Sequence, residues 1–155
     1  MRRKNQRGLS LVELIVAFTI LMMLSGMAVP MARYKVRRER ERELRIALRE
    51  IRAAIDKYKD LSDQKKLGVQ EKIDSHGYPE NLEILVEGVK PAGQAEGKIR
   101  FLRRLPKDPF TNSTEWGMRS VQDDPTSTSW GGQNLFDVYS KTQEKAPDGT
   151  PYSEW

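Results

Sequence analysis

From Leu9 to Ala32 the chain is apolar at nearly every position, LSLVELIVAFTILMMLSGMAVPMA, with Glu13 as its one charged side chain. At 1.5 Å of rise per residue such a run crosses a hydrocarbon layer about 30 Å thick, which predicts a membrane-spanning helix over residues 9–32. Pro30 has no amide to offer the carbonyl of Gly26, and its ring crowds the same place, so a kink or unwound stretch is expected over residues 26–30. Beyond Ala32 the pattern changes without a break. No Gly or Pro occurs until Gly68, and the residues are mostly good helix formers. Leu44, Leu48, Ile51, Ile55 and Tyr58 recur at steps of 4, 3, 4 and 3, and Ala47 and Ala54 widen the stripe. The helix should therefore continue over residues 33–60 as an amphipathic stem that presents one face to a core.

The remainder, residues 61–155, reads as a small head. Leu61 to His76 is polar and turn-rich and predicts a loop. In GYPENLEILVEGVKP, Leu82, Leu85 and Val86 form a compact apolar pattern with Asn81 as N-cap and Gly88 as stop, which predicts a short second helix. TEWGMRSV and NLFDVYS predict short strands on either side of the loop DDPTSTSWGG. The fold class is α+β, a long N-terminal helix packed on a small antiparallel sheet. Only 37% of the residues are hydrophobic. They concentrate in the first segment, so the head must complete its core against the stem.

The net charge of +5 invites a nucleic-acid reading until its location is considered. Four of the 27 basic residues, Arg2, Arg3, Lys4 and Arg7, precede the apolar run. Without them 23 face 22 acidic residues, so no nucleic-acid partner is expected. Cysteine is absent, which excludes disulfides and thiolate metal sites. Catalytic chemistry finds little support. His76, the only histidine, lies in a polar turn. GQAEGKI has three residues between its glycines and no Ser or Thr after Lys98, so it is not a phosphate loop. Asn112-Ser113-Thr114 matches a glycosylation acceptor only at the level of a three-residue pattern.

Glu13 is the informative charge. A carboxylate at the centre of a membrane helix costs on the order of 2.5–3.5 kcal/mol, less near the interface, and needs either headgroup water or a cationic partner. A small residue, Gly8, precedes the apolar run instead of following it, unlike an ordinary secretory signal. A cut after Gly8 would place a new amine on Leu9, about one helical turn from Glu13 in the same chain or on a packed neighbour. The string Arg7 to Leu14, with basic residues before it and an apolar helix after it, resembles the class III leader of type IV prepilins and type II secretion pseudopilins. The pattern matches at Gly8, Leu9, Ser10, Leu11, Val12 and Glu13, and it departs only in having Leu9 where phenylalanine or methionine is usual. The resemblance implies a cleaved leader, residues 1–8, cut between Gly8 and Leu9 by a prepilin peptidase that also methylates the Leu9 amine. It further implies assembly of the mature protein into a filament through its N-terminal helix, with Glu13 and Pro30 as assembly residues.

Orientation also follows from the resemblance, which implies a single-pass inner-membrane protein with a periplasmic head. Arg33, Lys35, Arg37, Arg38, Arg40 and Arg42 outnumber the leader cations, so a count of positive residues would point the other way. The charges from Arg33 to Arg45 read as a solvated collar or as pairs between subunits. Tyr78-Pro79, Leu105 to Phe110 and Phe136 to Ser140 resemble stations of the major-pseudopilin subfamily. That subfamily implies a structural subunit working with an inner-membrane secretion platform, minor pseudopilins and a separate cytoplasmic ATPase. A type IV pilus or DNA-uptake filament subunit, and a monomeric membrane-anchored binding module, are the alternatives. Relatives of this kind bind Ca²⁺ in the C-terminal loops, which would draw on Asp148, Ser140 and Glu154 here. The same tail reads equally as a Pro-Asp-Gly turn closed by Asp148.

Overall fold

The computed structural model describes residues 10–69, 73–93 and 96–155. Helix α1, Leu11–Asp63, is followed by a 3-10 turn at Ile73–Ser75, helix α2 at Glu83–Glu87, strands β1 at Gly117–Arg119 and β2 at Asp137–Tyr139, and a 3-10 turn at Tyr152–Glu154. The chain divides into two units, residues 1–39 and 40–155. The architecture is the expected α+β one, with a long apolar N-terminal helix and a small antiparallel sheet.

In the first unit α1 exposes its apolar side chains on every side. Leu11, Val12, Leu14, Ile15, Val16, Phe18 and Leu21 are each at least half exposed, and the helix is long and apolar enough to cross a membrane. The Thr19 hydroxyl is satisfied within the helix, since its Oγ1 donates to the carbonyls of Ile15 (2.9 Å) and Val16 (2.8 Å). Residues 26–30 are helical throughout, so of the kink or unwound stretch expected there the unwound form does not occur. One missing amide removes one hydrogen bond, and the turns on either side keep theirs.

In the second unit the predicted stripe is the core. Leu44, Ala47, Leu48, Ile51, Ala54, Ile55 and Tyr58 are all buried, and they cluster with Leu67, Leu82, Leu85, Leu102, Trp116, Leu135 and Val138. Truncating one such leucine to alanine typically costs about 2–5 kcal/mol. The stem ends three residues beyond the predicted 60, and the segment after it is pinned to the head. Leu67 bridges Pro91, and the Gly68 amide donates to the Lys90 carbonyl at 2.8 Å. His76 is an exposed turn residue at φ 50°, as its setting predicted.

Both ends of α2 follow the sequence reading. Asn81 Oδ1 accepts the Ile84 amide at 3.1 Å while Leu82 is already helical. Gly88 ends the helix at φ 80°, and a Cβ there would lie 2.7 Å from the Ile99 carbonyl oxygen. The strands are shorter than predicted. They pair antiparallel with Gly117 opposite Tyr139, Met118 opposite Val138 and Arg119 opposite Asp137. Beyond Arg119 side chains capture the amides a longer ladder would use, since Asp123 Oδ2 takes that of Ser120 (2.7 Å) and Asn134 Oδ1 that of Val121 (3.1 Å).

Gly117 is fixed by its cross-strand partner. Its missing side chain makes room for the Tyr139 ring, whose Cζ would lie 2.2 Å from an added Cβ. That ring stands under the Arg119 guanidinium (4.1 Å) and donates its hydroxyl to the Thr128 carbonyl (2.8 Å). Gly117→Ala is expected to lower stability by about 1–3 kcal/mol in chemical denaturation of the detergent-solubilised chain, through displacement of that ring. An unchanged midpoint would show that the ring has room to move.

Candidate functional site

Two regions carry the predicted site residues. The first is the start of the stem. Gly8 and Leu9 lie outside the described residues. Glu13 stands exposed in the first turn of α1, where the Leu14 amide already reaches back to the Ser10 carbonyl at 3.1 Å. Its surroundings within the chain are the exposed apolar residues Leu11, Val12, Leu14 and Val16. A carboxylate at a helix N-terminus is favoured by the unsatisfied amides there. Pro30 belongs to the same helix, about five turns further on.

The second region is the C-terminal tail, where the structure reveals residues that the sequence reading did not single out. Arg52, one position past the buried Ile51, projects from the stem towards the sheet. Its Nε donates to Asp137 Oδ1 (2.6 Å), and one terminal nitrogen reaches Asp137 Oδ2 (3.2 Å), the Val138 carbonyl (3.2 Å) and the Trp155 carbonyl (2.8 Å). A planar guanidinium meets a carboxylate in this forked way and a lysine does not. Stem, β2 and tail are thereby tied at one point. Arg119, only 6% exposed, donates from the other side of the tail to the carbonyls of Ser127 (2.8 Å) and Ser153 (3.0 Å).

Tyr152 is the tail's anchor. It is fully buried, stacks on Phe110 with centroids 4.2 Å apart, meets Trp155 edge-on at 4.8 Å, and donates its hydroxyl to Glu41 Oε1 at 2.8 Å. Asp108, inside the Leu105–Phe110 phrase, is likewise fully buried. Its Oδ1 accepts the Phe110 amide (2.8 Å) and its Oδ2 the Ser140 hydroxyl (2.5 Å), so that phrase is a joint between an irregular loop and the end of β2.

The three residues considered for calcium have separate tasks. Ser140 gives its hydroxyl to Asp108. Asp148 Oδ1 closes a turn by accepting the Thr150 amide at 3.0 Å, with Gly149 at φ 90° and its amide on the Ala146 carbonyl (2.9 Å). The Thr150 amide, first among its causes, holds the Asp148 carboxyl below the usual carboxylate range. Glu154 is exposed in the last 3-10 turn. The cleft beside Ser140 is bordered by Lys141 and Lys145, and among the described residues no three His, Cys, Asp or Glu side chains gather closely enough to hold a metal. Calcium takes six to eight oxygens, backbone carbonyls among them, and here the Ser140 hydroxyl and the Asp148 carboxylate are each engaged by a different partner. The Pro-Asp-Gly turn is the form the tail adopts.

Elsewhere Asp123 is held below the usual range chiefly by the Ser120 amide and then by that of Gly131, and Asp124 by the hydroxyl and amide of Thr126. These bonds order the loop between the strands. Melting curves of the protein in CaCl₂ and in EDTA are expected to coincide, while Arg52→Ala lowers stability by about 2 kcal/mol in both. A calcium-dependent rise in melting temperature would show that the tail rearranges to make a site.

Residues 3–29 match the family model described as the prokaryotic N-terminal methylation motif. Over 147 residues the chain is 28% identical to the type II secretion system core protein G of Pseudomonas aeruginosa, covering 90% of this chain and 85% of that one. Over 153 residues it is 27% identical to the protein of the same name from Klebsiella michiganensis, covering 95% and 90%. No solved structure gives a significant match. The similarity therefore runs through both stem and head, and it is to a core protein of a secretion system. The chain carries a prokaryotic N-terminal methylation motif and along most of its length is similar to the major pseudopilin of type II secretion.

Proposed function

We propose that this chain is the structural subunit of a type II secretion pseudopilus. A prepilin peptidase cuts between Gly8 and Leu9 on the cytoplasmic side and methylates the new amine. The stem then anchors the mature chain in the inner membrane, with the head in the periplasm, until an inner-membrane platform and minor pseudopilins draw it into a filament that supports export through the outer membrane. The observation that carries this reading is the first half of α1. It is a helix with apolar side chains exposed on every side and one carboxylate in its first turn. A helix apolar all round is at home only in lipid or among similar helices.

Glu13 supplies the register. Once the leader is gone, the Leu9 amine of a neighbouring stem is the cation that offsets the cost of placing this acid in an apolar bundle, and only one axial offset brings the two together. The work is mechanical and the energy comes from elsewhere, which agrees with similarity to a secretion-system core protein. Glu13→Leu, expressed in the native host, is expected to be processed and inserted like the wild type yet to yield no sheared or crosslinked filaments. Wild-type amounts of filament from that variant would remove Glu13 from assembly.

A further inference from the structure

The stem's outward face carries an ordered charge pattern that the head does not use. Ile46 is 50% exposed on this face. Its helical neighbours three and four residues away are Arg42, Glu43, Arg49 and Glu50, all exposed. At 3.6 residues per turn Arg42 and Arg49 stand on one flank of Ile46 and Glu43 and Glu50 on the other, the two columns roughly 100° apart around the helix. Within the helix the arrangement is unfavourable. Arg49 has Arg45 and Arg52 as its charged neighbours at three or four residues, and Glu50 has only Ile46, Ala47, Ala53 and Ala54. Like charges so spaced cost roughly 0.2–0.5 kcal/mol per pair.

The head relieves only part of this. Arg45 lies over the Trp155 ring at 4.2 Å, and Arg52 is held by Asp137. Among the described residues Arg42, Glu43, Arg49 and Glu50 enter no ion pair, although Glu50 borders a groove lined by Arg104 and Lys107.

We propose that this face binds a second copy of the chain, with the Arg42/Arg49 column of one stem against the Glu43/Glu50 column of the next and Ile46 at the edge of the contact. This rests on the filament reading above and specifies one of its contacts. Charge complementarity selects the occupant. Both columns repeat at seven residues, about 10.5 Å along the axis, so both ion pairs form together when two stems lie side by side. Because the columns lie on different faces, a copy that has used its arginines still offers its glutamates. Such a contact propagates into a filament instead of closing into a pair.

The test uses full-length protein in the native host. Arg42→Glu/Arg49→Glu makes both columns acidic, and Glu43→Arg/Glu50→Arg makes both basic. Each variant alone is expected to lose filaments while remaining processed and as protease-resistant in its head as the wild type. Co-expression is expected to restore filaments containing both variants in alternation. Filaments from either variant alone at wild-type level, or no recovery from two processed and folded variants together, would overturn the contact. Absence of filaments from the wild-type chain would overturn the filament reading itself, and this contact with it.

Discussion

A sheet of two three-residue strands cannot bury enough apolar surface to stand alone, and the head solves this by taking its largest apolar surface from the stem. Leu44, Leu48, Ile51, Ile55 and Tyr58 form one continuous ridge, and α2, the Leu102 segment, Trp116 and the inner side chains of β2 close over it. Everything else in the head positions loops on that ridge. The ridge belongs to the same helix as the apolar segment, which is long enough to cross a membrane. One helix thus serves two environments, and the switch between them lies in the charged stretch between Arg33 and Glu43.

With so little regular sheet, arginines and buried polar groups hold the loops. Arg52 ties stem, β2 and tail together, and Arg119 spans the inter-strand loop and the tail. Asp108 joins its loop to Ser140. In a protein without cysteine these bonds take the place of covalent staples. In the tail itself the Ser140 hydroxyl is given to Asp108 and the Asp148 carboxylate accepts the Thr150 amide.

The features legible in the sequence are those encoded by local spacing. The stem's ridge, the Asn81 and Gly88 ends of α2, the Pro-Asp-Gly turn and the apolar segment with its single acid depend on residues within a few positions of one another, where helix and turn geometry fix the outcome. What escaped depends on distant partners. Arg52 and Asp137 are 85 positions apart and Tyr152 and Glu41 are 111 apart, and nothing in either neighbourhood announces the other. The strands are shorter than β-propensity alone predicts because β-forming residues such as Val121 give their amides to side chains. The helix passes through Pro30 without unwinding because one absent donor is not enough to melt a helix that continues on both sides.

The account stands on the event that turns the first segment from a leader into a stem. Intact-mass analysis of the protein extracted from membranes of its native host tests this directly. The account predicts a mass lacking Met1 to Gly8 and carrying one added methyl group on the new terminus at Leu9. A membrane-embedded protein that retains its first eight residues in a host with an active prepilin peptidase would contradict it.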